Sequence, residues 1–255
     1  MSMTHSPGDP CWIELFTPDV KSARDFYGEL FGWDSRAGDE EYGGYVVFER
    51  DGEPIAGCMR NDGSMGPSMW SVYLASDDAA ATVEKARQHG GQVVVEPIKV
   101  GELGHMALVV DPAGAAVGVW QPLEHTGISA RGEIGAPAWF ETLSRDYAAA
   151  VPFYRDVFGW DTFTMSDTDE FRYTTLGEGD QAKAGIMDAS AFLGDQPSRW
   201  QFYVEVVDTD ASVQRATDLG GTVIESAENT PYGRLSVIVD PAGIPFAIMG
   251  PDPTA

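Results

Sequence analysis

The chain states one pattern twice. Trp12-Ile13-Glu14-Leu15 followed by Phe26-Tyr27-Gly28-Glu29-Leu30-Phe31-Gly32-Trp33 returns as Trp139-Phe140-Glu141-Thr142 followed by Phe153-Tyr154-Arg155-Asp156-Val157-Phe158-Gly159-Trp160. Trp70-Ser71-Val72-Tyr73 recurs as Trp200-Gln201-Phe202-Tyr203, and Val110-Asp111-Pro112-Ala113-Gly114 as Val239-Asp240-Pro241-Ala242-Gly243. The offset drifts only from 127 to 130 residues, too long for a solenoid unit and suited to two copies of one domain. Any site in one copy therefore has a counterpart to be compared in the other.

With 255 residues and 43% hydrophobic content, the chain can build two cores of about 120 residues each. No apolar run reaches the roughly 18 residues of a membrane span. The start, Met1-Ser2-Met3-Thr4-His5-Ser6-Pro7, has neither a basic nor an apolar export segment, so the expectation is a cytoplasmic protein without a membrane partner. A net charge of −24 repels a phosphate backbone, which argues against nucleic acid. Cys11 and Cys58 lie in the first copy and have no counterparts in the second. They read as reduced core thiols, not as a disulfide framework or metal clip.

Each copy opens as a strand followed by a helix. Pro18-Asp19 supplies the helix start, Val20, Ala23, Phe26, Tyr27, Leu30 and Phe31 share one face, and Gly32 closes it. A hairpin follows over 45–59 around Asp51-Gly52. A second strand and helix then run from Trp70, with Asp77 or Asp78 as cap and His89-Gly90-Gly91 as stop. Strands over 92–96, 105–110 and 116–120 complete the copy, with Asp111-Pro112-Ala113-Gly114 as a tight turn. The fold class is α+β, each copy being two βαβββ units. The expected domains are 10–122 and 136–250, joined by an aperiodic linker over 123–135.

This order of motifs resembles the vicinal oxygen chelate superfamily, which includes glyoxalase I, extradiol dioxygenases, fosfomycin-resistance enzymes and bleomycin-binding resistance proteins. More narrowly it is similar to tandem actinobacterial glyoxalase-like proteins, some of them hydroxylase-labelled. The resemblance implies a curved mixed sheet around a cavity in each domain. In metal-dependent members a divalent ion is held by a His, Gln or Glu on the first strand, a His or Gln on the first strand of the second unit, and a Glu on the last strand. Those slots fall on Trp12, Ser71 and Gly118 in the first copy and on Trp139, Gln201 and Ala247 in the second. Only Gln201 is a donor suited to a metal, and His5, His89, His105 and His125 are too scattered to rebuild a centre. The expectation is therefore no metal and no cofactor.

Strand alternation decides what else faces the same way. Trp12 brings Glu14 and Phe16, Trp139 brings Glu141, Ser71 brings Tyr73, Gln201 brings Tyr203 and Glu205, Gly118 brings Trp120, and Ala247 brings Met249. The candidate ligand-binding residues are thus Trp12, Phe16, Ser71, Tyr73, Trp120, Trp139, Gln201, Tyr203 and Met249. Such a wall of indole and phenol suits a small aromatic or oxygenated ligand. Glu14 and Glu141 are the candidate bases, weighed against carboxylates that merely pair with an Arg or meet solvent at a strand end. Trp70 and Trp200 should face the helices, the Phe-Tyr pairs belong to the core, and His105 and Arg234 sit at strand entries.

Three functions remain open. The first is a metal-free protein that binds, and so sequesters or carries, a small aromatic metabolite or antibiotic. The second is a metal-free hydroxylase- or isomerase-like tailoring enzyme using Glu14 or Glu141. The third is a metal-dependent lactoylglutathione lyase or dioxygenase with displaced ligands. Because a fused pair supplies both modules of a domain pair, a monomer or weak homodimer is expected.

Overall fold

The structure is a computed structural model that describes residues 5–38, 44–64 and 66–254; Met1-Ser2-Met3-Thr4 of the amino-terminal reading lie outside them. The first copy runs β1 (Pro10–Thr17), α1 (Val20–Phe31), β2 (Asp34–Ala37), β3 (Val46–Arg50), β4 (Glu53–Arg60), β5 (Met69–Ala75), α2 (Ala79–Gln88), β6 (Gln92–Val100), β7 (Gly104–Val110) and β8 (Ala116–Pro122). The second repeats the series as β9 (Pro137–Ser144), α3 (Tyr147–Phe158), β10 (Thr162–Asp167), β11 (Arg172–Leu176), β12 (Gly185–Asp188), β13 (Arg199–Glu205), α4 (Thr209–Asp218), β14 (Thr222–Thr230), β15 (Gly233–Val239) and β16 (Pro245–Gly250). Two eight-stranded sheets result, ordered β2-β3-β4-β1-β5-β8-β7-β6 and β10-β11-β12-β9-β13-β16-β15-β14. Both are mixed: β1 with β4, β5 with β8, β9 with β12 and β13 with β16 pair in parallel, and the hairpins pair antiparallel.

The caps read from sequence form as local chemistry dictates. Asp19, Asp78, Asp146 and Asp208 each accept the backbone N–H three residues on, filling an orphan donor of the first helical turn. Gly32 and Gly159 close α1 and α3 in the left-handed conformation, both at φ 72°. One strand of the first copy carries no signal. Asp34-Ser35-Arg36-Ala37 lacks apolar alternation, and it is a strand because β3 offers it an antiparallel ladder.

Compact packing does not follow the two copies. Unit one is Met1–Trp12, Ser71–Gly127 and Phe140–Gln201; unit two is Ile13–Trp70, Ile128–Trp139 and Phe202–Ala255. Each unit therefore combines half of one copy with half of the other. In unit two the buried rings of Phe26, Tyr27 and Phe31 on α1 meet Phe246 on β16. Tyr27 donates its hydroxyl to Asp240 Oδ2 at 3.1 Å and accepts the indole N–H of Trp70 at 2.9 Å. Unit one repeats the device: Tyr154 donates to Asp111 Oδ2 at 2.9 Å and accepts from Trp200 at 2.8 Å.

These contacts give the repeated motifs a joint purpose. The aspartate of each Asp-Pro-Ala-Gly turn accepts the N–H of its own turn, from Ala115 or Ile244, and takes the phenol from the other copy's helix. Burial raises the pKa of both carboxyls above the usual aspartate value and lifts both phenols well above theirs. The Gly-Trp ends are shared in the same way. Trp33 donates its indole N–H to the Gly135 carbonyl, and Trp160 donates to that of Gly8. Gly8 and Gly135 adopt φ 85° and 80°; a Cβ on Gly8 would strike the Phe158 carbonyl oxygen at the end of α3, and one on Gly135 would strike the Arg50 guanidinium and the Phe31 carbonyl oxygen at the end of α1, so only glycine serves.

Candidate functional site

Glu141 is buried on β9, 5% exposed. Both its oxygens accept hydrogen bonds within unit one: Oε2 from the Tyr173 hydroxyl at 2.7 Å and Oε1 from the Gln201 side-chain amide at 3.3 Å. The β9–β12 register is regular, with Gly185 opposite Glu141. That glycine is what lets the phenol reach. A Cβ at position 185 would collide with the Tyr173 hydroxyl. The carboxylate thus faces two neutral donors of unequal quality, a short bond from a buried phenol and a long one from a half-buried amide.

Glu14 is the counterpart in unit two, also buried, and it lies opposite Gly57 on β4. The register extends the likeness. Val47 pairs with Gly57 as Thr175 pairs with Gly185, which makes Tyr45 the positional equivalent of Tyr173. Cys58, next to Gly57, is buried, and its thiol is pushed up to about 12 by desolvation first and the Glu14 charge second. Cys11 is also a free, buried thiol raised by burial. Neither is a nucleophile at neutral pH. Phe16 follows on β1, half-buried and opposite Met59.

The remaining first-copy candidates gather in unit one. Trp12 and Trp120 are 4% and 7% exposed. Between them stands a residue the sequence left in the linker. The imidazole of His125 meets the Trp12 ring edge-on at 4.3 Å between centroids and the Trp120 ring at 5.5 Å. Its carbonyl accepts the Trp120 indole N–H at 2.9 Å. Desolvation, with His5 adding a smaller push, lowers the imidazole pKa to about 4. Ser71 and Tyr73 are buried on β5, and Tyr73 lies opposite Gly118. A Cβ at Gly118 would collide with the Tyr73 ring, so the slot at which the resemblance places a metal-binding Glu has no room for one here.

The second-copy rings sit differently. In unit two Tyr203, Val237 and Ala247 form a buried cluster against which Trp139, Leu235 and Met249 pack while staying partly exposed. Tyr203 pairs with Ala247, and Glu205 with Met249. Burial raises the Glu205 carboxyl above its ordinary value. Trp70 and Trp200 face the helices, as their hydrogen bonds to Tyr27 and Tyr154 require. Arg234 is held by Asp210 and Asn229, an anchoring role at a strand entry.

Metal chemistry finds little support in this donor set. The first-copy slots present an indole, a hydroxyl and no side chain, and the second-copy slots an indole, an amide and a methyl. Among the described residues no group of three or more His, Cys, Asp or Glu side chains is placed to hold an ion. Nor, among them, is any helix long and apolar enough to cross a membrane.

Sequence reasoning missed Tyr173 and His125. Tyr173 had a usable signal, since Tyr45 and Tyr173 stand at equal distances before the glycines facing Glu14 and Glu141. His125 had none. The position at the repeat offset is Thr254, and an aperiodic segment gives no phase from which to read a direction.

Comparison with known proteins agrees with the duplication. A model of the Glyoxalase/Bleomycin resistance protein/Dioxygenase superfamily matches residues 11–119, and a Glyoxalase-like domain model matches 140–249. The anthracycline biosynthesis protein DnrV of Streptomyces peucetius is 35% identical over 96% of this chain and 94% of its own length. CFP32 of Mycobacterium tuberculosis, named as a candidate glyoxylase, is also 35% identical over 96% of both chains. Among solved structures, the Mn(II)-bound glyoxalase of Novosphingobium aromaticivorans matches with a TM-score of 0.67 at 15% identity, covering 98% of this chain and 85% of that one. The 2,2',3-trihydroxybiphenyl 1,2-dioxygenase of Sphingomonas wittichii matches with a TM-score of 0.65 at 14% identity, over 96% and 91%. At such identities the structural likeness shows the fold alone.

Proposed function

Since the chain belongs to the glyoxalase/bleomycin resistance protein/dioxygenase superfamily, we propose that it is a metal-free member that binds a small, flat, oxygenated aromatic metabolite. Glu141 is its polar anchor. The observation that carries this reading is the buried carboxylate held by Tyr173 and Gln201. A phenolic or enolic hydroxyl of a ligand can displace the 3.3 Å amide bond of the half-buried Gln201 and donate to Oε1, while the shorter phenol bond keeps the carboxylate oriented. The name of DnrV supports a polycyclic aromatic ligand.

A second reading is favoured by the phenol–carboxylate pair itself. Glu141 could take a proton from a bound hydroxyl or acidic C–H, with Tyr173 holding the carboxylate in position, which would make the protein a tailoring enzyme. One titration separates these readings. Hydroxylated anthraquinones are added to the full-length protein while tryptophan fluorescence is followed, and metal content is measured on the same sample. Saturable quenching without metal is the expected result, with Glu141→Gln weakening binding about tenfold, or about 1.4 kcal/mol. Product formation abolished in Glu141→Gln would establish the enzyme. Absence of saturable binding to any hydroxylated aromatic, or a stoichiometric tightly bound metal, defeats the proposal.

A further inference from the structure

We propose that the first copy carries a site for a flat heteroaromatic ring, and that the imidazole of His125 is its built-in occupant. The site lies wholly in unit one and is independent of the Glu141 reading. Its walls are the two buried indoles of Trp12 and Trp120, which the imidazole contacts at 4.3 Å and 5.5 Å with interplanar angles of 85° and 67°. Edge-to-face contact of this kind is how proteins hold neutral aromatic rings. The occupant is seated through its backbone as well, because its carbonyl takes the Trp120 indole N–H.

Two further features show that the segment is fitted to the slot. Gly127, two residues on, holds φ +101°, and a Cβ there would collide with the Cys11 carbonyl and approach the His5 ring at 3.3 Å. Only glycine lets the chain pass so close over the start of β1. Two residues before Trp120, the Tyr73 ring covers the space where a side chain at 118 would stand. Among the described residues, Pro251-Asp252-Pro253-Thr254 after β16 carries no aromatic side chain, and Trp139 and Met249 are partly exposed. The edge-on seat of the imidazole between two indoles makes the class of ligand the slot accepts a flat five- or six-membered heteroaromatic.

The test uses full-length protein at pH 8 with free imidazole as the probe. Wild type should show no saturable uptake by calorimetry. His125→Gly should bind one imidazole per chain, and saturation should return its melting temperature and tryptophan emission towards wild type. His125→Phe, which refills the slot, should bind none. A folded His125→Gly protein that takes up no imidazole overturns the proposal. Should that variant fail to fold, proton NMR of the wild type decides. Ring currents from two indoles must move the His125 ring protons away from free-histidine positions, and unshifted signals overturn it equally.

Discussion

At the scale of single residues, the buried tyrosines do more than fill space. The Tyr154 hydroxyl satisfies a buried carboxylate and a buried indole N–H together. Removing it in Tyr154→Phe strips Asp111 of one donor and leaves the Trp200 N–H without its acceptor. Unmade bonds at buried polar groups cost about 1–3 kcal/mol, so the variant should melt several degrees lower in a calorimetric scan. His125 adds a pH dependence. Its unfolded pKa is near 6.5 and its folded value about 4, so the unfolded chain binds the proton more readily. Stability from the neutral imidazole is complete above about pH 6.5 and is lost as pH falls towards about 4, by at most about 3 kcal/mol. The raised Asp111 and Asp240 carboxyls act in the opposite direction in acid. The difference between wild type and His125→Phe in urea midpoints from pH 8 to pH 4 therefore isolates the imidazole; a parallel pair of curves would refute its assignment. The buried placement of Glu141 follows from strand parity because β9 pairs regularly with β12. The tyrosine that holds it was missed, because its signal is the matched spacing of Tyr45 and Tyr173 from Gly57 and Gly185 in the two copies and not a local period.

At the scale of elements, most of the fold could be read because each start and stop has a local cause. Among the described residues aspartates cap α1, α2, α3 and α4, and Asp51-Gly52 turns the β3–β4 hairpin with both residues at positive φ. What could not be read was β2, an edge strand specified by its neighbour and not by its own residues. Helix α3 runs against local preference. Pro152 sits inside Tyr147–Phe158, where it removes a backbone donor and crowds the preceding turn. The counterpart position in α1 is Asp25, which has no such defect. Tertiary contacts of Phe153, Tyr154, Val157 and Phe158, all buried, hold the helix despite it. Pro152→Ala should accordingly raise stability by about 1–3 kcal/mol, read as a higher denaturation midpoint with unchanged slope. An unchanged or lower midpoint would mean that the proline is repaid by a stiffer unfolded chain.

At the scale of the whole molecule, the repeat misleads as much as it informs. Two copies in sequence suggest two self-contained halves, yet each compact unit draws on both. The cause is in the motifs. The Phe-Tyr helix of one copy and the Asp-Pro-Ala-Gly turn of the other complete a single buried hydrogen-bonded cluster, Tyr27 with Asp240 and Tyr154 with Asp111. Each motif was recognisable alone, as core and as turn, but sequence separations of 213 and 43 residues hide that they meet. Residues 1–127 expressed alone would expose Phe26, Tyr27 and Phe31 without Phe246, and leave Tyr27 without Asp240. An apolar ring surface of that kind, with a buried phenol unpartnered, forfeits several kcal/mol from a total of only about 5–15. Either half alone should therefore give a molten state, with helical far-ultraviolet signal but no cooperative melt. Co-expression of 1–127 with 128–255 should restore a one-to-one complex with a cooperative transition. A half that melts cooperatively as a monomer would show that the cross-copy contacts are dispensable, and the Tyr154→Phe effect should then vanish with them.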